Sequence, residues 1–406
     1  MLKINNKKKI MKKFLLSMAL VCAAYVSAET TSNVSDLLNP LITGVPSLSI
    51  GPDAVAGGMG DIGTATVPDN NSQHWNSSKY AQMPSSAGFT MSYTPWLRSL
   101  GVNDIDLAYL SGYYQISQLA GTVSASLRFF SLGKIDLRDN IDATPISVKP
   151  YEIAFDAGYE RMLSEHFSMG VVFRFICSDL SARQEDYYPG YAFGADINGY
   201  YELPIDIRMG TSKFAFGFNI SNLGTKVSYD KGNTNNFLPT DLRLGVSYLL
   251  PFDRYNRLSF NFEADKLLVP SRKSKFAKNY DPDDESTWTM TDKEYTDISS
   301  MKGVFWSFAD APGGAKEEFQ EINFGIGLEY AYNEQFFGRV GYHNEAKNKG
   351  NRKYFTFGAG FRLSAFRLDV GYVLSVAQNN PLDQTLRFSL SFDVDGIKAL
   401  ADRNKN

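Results

Sequence analysis

The chain is poor in the residues that staple or catalyse. It has two cysteines, Cys22 and Cys177, and three histidines, His74, His166 and His343, in 406 residues. Cys22 falls in the leader described below, so Cys177 is left alone and no internal disulfide stabilises the mature chain. No stretch reaches the roughly 18 to 20 consecutive apolar residues of a membrane-crossing helix, and mean hydropathy is −0.25. Basic charge is not in excess either. Lys and Arg number 41 against 44 Asp and Glu, a formal charge of −3, which argues against a nucleic-acid surface. Catalytic signatures are missing too: no G-x-S-x-G elbow and no H-E-x-x-H zinc motif occurs.

What is present begins with a leader. Lys3, Lys7, Lys8, Lys9, Lys12 and Lys13 precede the apolar run Phe14–Val26, which ends in Val26-Ser27-Ala28. A charged head, a short apolar stretch and a small-x-small end make residues 1–28 a secretory signal peptide, cut between Ala28 and Glu29. A start at Met11 keeps Lys12 and Lys13 and serves equally. Bulky Leu20 and Val21 stand where a lipoprotein signal wants a small residue before Cys22. Cleavage removes six lysines and no acid, taking the formal charge from −3 to −9.

Behind the leader comes alternation. From about Ala87 to Phe392 every second residue is apolar or aromatic, as where Phe366, Leu368, Val370 and Tyr372 bracket Arg367 and Asp369. A period of two is a strand with one greasy and one polar face. Fourteen candidate strands follow, from Gly88–Trp96 to Thr385–Phe392, including Tyr191–Tyr201 and Lys213–Leu223. Most match the roughly 9 to 11 residues of a tilted membrane strand. The connections alternate in length. Ser164–His166, Pro251–Asn256, Asn333–Glu334 and Ser364–Ala365 are short; Gly133–Lys149, Leu180–Gly190, Gly224–Pro239 and Leu268–Gln320 are long. Short periplasmic turns and long outer loops belong to outer-membrane barrels. The reading is therefore all-β: a transmembrane antiparallel β-barrel of about 14 strands spanning residues 87–392. A soluble sandwich also alternates in polarity, but it gives no reason for connections that alternate in length.

Phase then assigns the interior. An Arg on the lipid face at mid-bilayer costs about 2–4 kcal/mol, so Arg128, Arg174, Arg243, Arg367 and Arg387 are expected to face the lumen. Asp156, Glu160, Glu263, Asp265, Glu329 and Asp369 share that phase, predicting a braced interior rather than an open pore. Glycines of the same phase, among them Gly217, Gly327 and Gly371, leave room for a filler. Residues 29–86 do not alternate and are expected to be that filler, an N-terminal hatch or plug packed through Ile50, Met59, Trp75 and Asn76. The run Gly57–Gly63 has no Lys-Ser/Thr after it and no βαβ setting, which excludes a nucleotide loop.

Two outliers remain. The long outer loop, residues 268–320, carries Trp288, Phe305, Trp306 and Phe308, the candidate partner contacts. Its acidic first half, around Asp281, Asp283, Asp284 and Glu285, reads as disordered. Residues 393–406 form a weakly helical tail expected to protrude into the periplasm. The strand order separates His74 (plug), His166 (turn) and His343 (outer loop edge), so they share no metal centre. His343, beside Asn344, stands where an outer-membrane acyl-ester hydrolase carries its base, but a lone loop-edge histidine is more commonly a solvated polar residue. Cys177 reads as an apolar filler. The expectation is a protein that is not an enzyme and uses no cofactor and no metal.

The stretches Ser49-Ile50-Gly51-Pro52-Asp53-Ala54, Gly58-Met59-Gly60-Asp61-Ile62-Gly63-Thr64-Ala65 and His74-Trp75-Asn76-Ser77-Ser78-Lys79 resemble the N-terminus of FadL-like barrels. With the run Ala65–Asn71 and the overall length, they are most similar to the PorV branch, the outer-membrane component of the type IX (Por) secretion system, as found in Porphyromonas. The family commonly has Asn-Pro-Ala after the Trp, where this chain has Asn76-Ser77-Ser78. The resemblance implies fourteen strands and an N-terminal hatch. It also implies partners: the large translocon barrel, the C-terminal signal domains of secreted cargo, a PorU-type sortase attachment complex, and the lipid bilayer with its lipopolysaccharide. The role it implies is binding cargo at the translocon and delivering it to the attachment complex. The alternatives are a FadL-like transporter of hydrophobic molecules and, third, a lipopolysaccharide or lipid A deacylase using His343.

Overall fold

The computed structural model describes residues 39–98, 101–117, 120–137, 146–180, 188–376 and 382–403. The leader, its cleavage point at Ala28 and Glu29, and residues 29–38 lie outside them. Among the described residues fourteen strands close into one antiparallel ring. They are β1 (Ala87–Pro95), β2 (Ile105–Ser117), β3 (Gly121–Leu132), β4 (Tyr151–Met162), β5 (Phe167–Asp179), β6 (Gly190–Ile207), β7 (Gly210–Gly224), β8 (Asp241–Pro251), β9 (Asn256–Leu267), β10 (Ile322–Tyr332), β11 (Phe336–Asn344), β12 (Lys353–Leu363), β13 (Phe366–Ser375) and β14 (Leu386–Asp393). Each pairs with its neighbour in sequence, and β1 closes on β14 with Phe89 opposite Phe392 and Tyr93 opposite Phe388. At this seam the Phe89 and Phe392 rings stack, their centroids 4.8 Å apart. No described helix is long and apolar enough to cross a membrane; strands are the elements of this chain that can.

The ring is inverted relative to a protein folded in water. Phe155, Phe173, Phe193, Val246, Phe262, Ile326, Phe357 and Leu368 are exposed, whereas Ser126, Arg128, Asp156, Glu160, Arg174, Asp196, Arg339 and Asp369 are buried. Alternation along the strands turns most apolar side chains outward to lipid and the charged ones inward, with a few apolar residues such as Phe130, Ile176 and Phe337 also on the inner face. Arg243 and Arg367 join the inward set, each half-buried against carboxylates.

The largest departure from the expected strands is at the β6–β7 hairpin. Strands expected to stop at Tyr201 and restart at Lys213 instead run to Ile207 and from Gly210, with Leu203 opposite Phe214 and Ile207 opposite Gly210. Here both faces are exposed, so alternation loses its meaning, and Glu202, Pro204 and Asp206 mimic a loop. The tail also differs from expectation. The helix Val394–Arg403 does not simply protrude: Asp395 accepts hydrogen bonds from the Ser86 amide and hydroxyl at 2.7 Å each. A Cβ at Gly396 would sit 2.9 Å from the Ala365 Cα, so the first turn lies against the ring's end.

Residues 39–86 bond to inward groups on many strands. Asn76 Nδ2 donates to the Gly199 carbonyl of β6, the Gly60 amide to Thr356 of β12, and the Gly63 and Thr64 amides to Glu263 of β9. On the other side the Ala54 amide donates to Ser389 of β14, and Arg128 of β3 donates to the Ser47 and Ile50 carbonyls. A segment tied to opposite sides of a closed ring lies within it. The glycines make room for it: a Cβ at Gly217 would meet the Thr64 carbonyl oxygen at 2.2 Å, and one at Gly341 the Met59 carbonyl carbon at 2.1 Å.

Candidate functional site

The interior is built first from ion pairs. Arg174 lies between Asp156 and Asp196, donating to the first through Nε at 2.7 Å and to the second through Nη2 at 2.9 Å, and it also reaches Asn222. Four strands, β4 to β7, are braced by one guanidinium. Opposite them Arg339 donates to Glu329 at 2.7 Å and to Asp369 at 2.8 Å, with Arg367 on the same carboxylates. Such pairs, removed from water, are costly to break because the partner is left as a buried lone charge.

The N-terminal segment locks into this frame through the motif His74–Lys79. Arg128 donates to Nδ1 of His74 at 3.0 Å. Burial and the surrounding guanidiniums of Arg128 and Arg243 hold that imidazole well below its ordinary range, so it is neutral and accepts. Trp75 Nε1 donates to Asp53 at 2.6 Å, and Arg243 lies over the Trp75 ring at 4.9 Å. Asp53 also caps the short helix Ala54–Gly57 through the Val55 and Ala56 amides at 2.9 Å. Burial and the charge of Asp69 push the Asp53 carboxyl up to about 6 against these bonds. Lys79, 1% exposed, donates to the Gly63 carbonyl at 2.7 Å. Asp61 accepts from Arg387 on β14 and from the Tyr354 hydroxyl at 2.6 Å. Of the four expected packing residues, Met59, Trp75 and Asn76 are fully buried and Ile50 is half-buried. Arg387 was expected to face the lumen, but Asp53, Asp61 and Tyr354 were not singled out by sequence reasoning; only their phase or their place in the motif hinted at them.

Between this segment and the loop-bearing end of the ring lies a cavity of about 400 Å³. Its wall mixes Trp75, Trp96 and Phe130 with Asp241, Arg243 and Arg352. His343 is also on it, and here the expectation fails. Far from solvated, it is 8% exposed and stacks on Tyr354 with centroids 4.9 Å apart. Its phase with Arg339 and Gly341 on β11 turns it inward.

Residues 268–321 fold around a small core of their own. Phe237, Val269, Ala277, Met290, Tyr295 and Ile298 are buried together. Tyr295 meets Phe237 edge-on at 5.2 Å, and its hydroxyl donates to the Pro270 carbonyl at 3.2 Å. Lys226 sits over Phe237 at 4.0 Å, and burial pushes its amine down to about 8. Helix Asp292–Asp297 opens with a Thr291–Glu294 capping box. The acidic stretch read as disordered is instead turned by local bonds: Asp284 accepts the Ser286 amide at 3.0 Å, and Trp288 Nε1 donates to the Asp281 carbonyl at 2.8 Å.

The candidate contact aromatics divide. Phe305 is 70% exposed and Phe308 50%. Trp288 and Trp306 are half-buried and used within the loop, Trp306 against Phe276 at 4.6 Å and Trp288 against Tyr280 at 6.1 Å. Met301, one turn before Phe305 on the helix Ser300–Trp306, is exposed on the same face, and Phe319 on the helix Ala315–Gln320 is exposed as well. Neither was singled out from sequence, since each is a lone apolar residue among polar neighbours.

Comparison with known proteins gives one family. Residues 33–274, more than half of the chain, match the family described as Type IX secretion system protein PorV. No curated protein matches. Among solved structures the chain is similar to the CymD monoaromatic hydrocarbon channel, with 11% identity, 87% of this chain and 99% of that one covered, and a TM-score of 0.47. It is similar also to the Ralstonia pickettii toluene transporter TbuX (12% identity, 84% and 96% covered, TM-score 0.43). A Pseudomonas aeruginosa FadL homologue is a third such structure (9% identity, 87% and 99% covered, TM-score 0.42).

Proposed function

The chain belongs to the PorV family of type IX secretion system proteins and is an outer-membrane β-barrel, and on that premise we propose that it is a non-enzymatic secretion adaptor. It binds cargo by the C-terminal signal domain at the translocon barrel and hands it to a PorU-type sortase complex at the lipopolysaccharide-bearing surface. Residues 39–86 serve as the hatch, the long loops face outward, and the tail helix stands on the periplasmic side. The observation that carries the reading is the apolar face Met301, Phe305, Phe308 on a loop otherwise folded as in water. Exposed apolar surface of this kind marks a protein contact. A filled, ion-paired interior suits an adaptor better than a conduit.

The test replaces Phe305 and Phe308 together by Ser. Cargo and translocon recovered with the barrel after crosslinking are expected to fall at least tenfold, with heat-modifiability and melting of the barrel unchanged. Undiminished recovery would remove this loop from the account. Transport of hydrophobic molecules is the second reading, favoured by Trp75, Trp96 and Phe130 on the cavity wall and opposed by the charges beside them. Uptake of a labelled fatty acid into proteoliposomes would bring it forward. The buried, stacked His343 lends no support to a deacylase.

A further inference from the structure

With so few histidines, the group of metal-compatible side chains that stands together among the described residues is made of oxygen donors. Asp310, Glu318 and Glu321 stand at the exit of the long loop and the head of β10, and one carboxylate oxygen of each lies within 4.8 Å of the other two. Asp310 is 0% exposed and Glu321 3%. Charge in this cluster does not balance. Glu317 adds a fourth carboxylate, and two ammonium groups face the four. Lys266 donates to Glu318 at 3.1 Å and Glu321 at 2.5 Å; Lys349 donates to Glu317 at 2.6 Å and Glu321 at 2.9 Å. Both lysines are taken up by the glutamates. Asp310 accepts the Ser271 amide on Oδ2 at 2.6 Å, and its other oxygen, Oδ1, is sealed from water with no donor. A buried carboxylate oxygen without a partner is strongly unfavourable.

We propose that a calcium ion binds here, joining Asp310 Oδ1 to Glu318 and Glu321. Two oxygens on opposite sides of a calcium ion, each about 2.4 Å away, stand at most about 4.8 Å apart, so three oxygens within 4.8 Å of one another can share one ion. Magnesium, at about 2.1 Å, demands near-octahedral order and gives up its waters reluctantly, which favours calcium on a set of buried side-chain oxygens. An all-oxygen set also disfavours zinc. The two positive charges cancel the excess of two negative ones. Half-buried Glu318 leaves an opening through which water completes the coordination. Bound there, the ion ties the loop's exit at Asp310 and Glu318 to its entry at Ser271 and to the ring at Glu321. The inference is independent of the adaptor reading.

Titration calorimetry of the full chain in detergent micelles, chelator-treated and then given calcium chloride, tests it. Saturable one-to-one binding is expected, with a dissociation constant between about 10⁻⁵ and 10⁻³ M. Tryptic cleavage within the loop should slow at least tenfold on adding calcium. D310N should weaken binding at least tenfold, and E318Q should as well if D310N alone disturbs the loop, whereas D283N, at an exposed acid of the same loop, should bind as the parent does. No saturable heat up to about 10 mM calcium, equal binding of magnesium, or D310N and E318Q both within twofold of the parent would each overturn the proposal.

Discussion

The ring and the long loop are two solutions to opposite solvents within one polypeptide. In the ring, Arg174, Arg339 and Asp369 are buried and Phe173, Phe193 and Phe357 exposed; in the loop, Val269, Met290 and Tyr295 are buried and Asp283, Asp284 and Lys293 exposed. Each arrangement minimises free energy in its own surroundings, hydrocarbon for the one and water for the other. The lesson is that an exposed phenylalanine has no fixed meaning. On β5 or β12 it is what lipid requires. At Phe305, Phe308 and Phe319, on a loop folded as in water, it is anomalous.

The sharpest way to break the contrast is to remove a charge from the ring. R339A leaves the buried Glu329 and Asp369 to Arg367 alone, and a loss of about 3 kcal/mol is expected, read as a lower urea midpoint for the folded barrel in micelles. The matching cut in the loop is F237A, which empties the centre of its apolar core. A cost of about 3 kcal/mol confined to the loop should appear as rapid tryptic cleavage there, with the ring's urea midpoint unmoved. The smallest effect lies in the segment inside the ring. Asp53, pushed up to about 6, holds its proton more tightly in place than when opened to water. Its stabilising contribution is therefore complete below about pH 4 and lost as pH rises through 6. Between pH 5 and 7 this is about 1 kcal/mol. Hydrogen exchange at the Val55 to Gly58 amides, corrected for intrinsic rate, should speed up severalfold over that interval while the strand amides hold.

Much of the ring was legible because its rule is local. A period of two in a two-solvent environment leaves a record at every position, and the register places Arg128, Arg174 and Arg387 where the phase predicted. Legibility ended where that rule lapsed. From Leu203 to Asp206 β6 is exposed on both faces, so Leu203 and Ile205 look like any loop residues. His343 was misjudged because it was expected at the last position of its strand, at a solvated loop edge, whereas the strand runs on to Asn344 and turns the imidazole inward. The loop's helices, of six and seven residues, have too few turns to register as a period and depend on Phe237 and Tyr295 for support. The pairing of Asp61 with Arg387 joins residues 326 apart in the chain, and nothing in either neighbourhood names the other. The same holds for Asp310 and Ser271.

The seam between β1 and β14 also dictates an order of assembly. The ring cannot seal until its final strand, Leu386–Asp393, has been delivered, and residues 39–86 are among the first to emerge. Those early residues bond to β3, β6, β9, β12 and β14, so their full set of partners exists only once the last hairpin has formed. A chain truncated before Leu386 would therefore be left with two raw edges and an uncaptured filler, making it a substrate for periplasmic proteases.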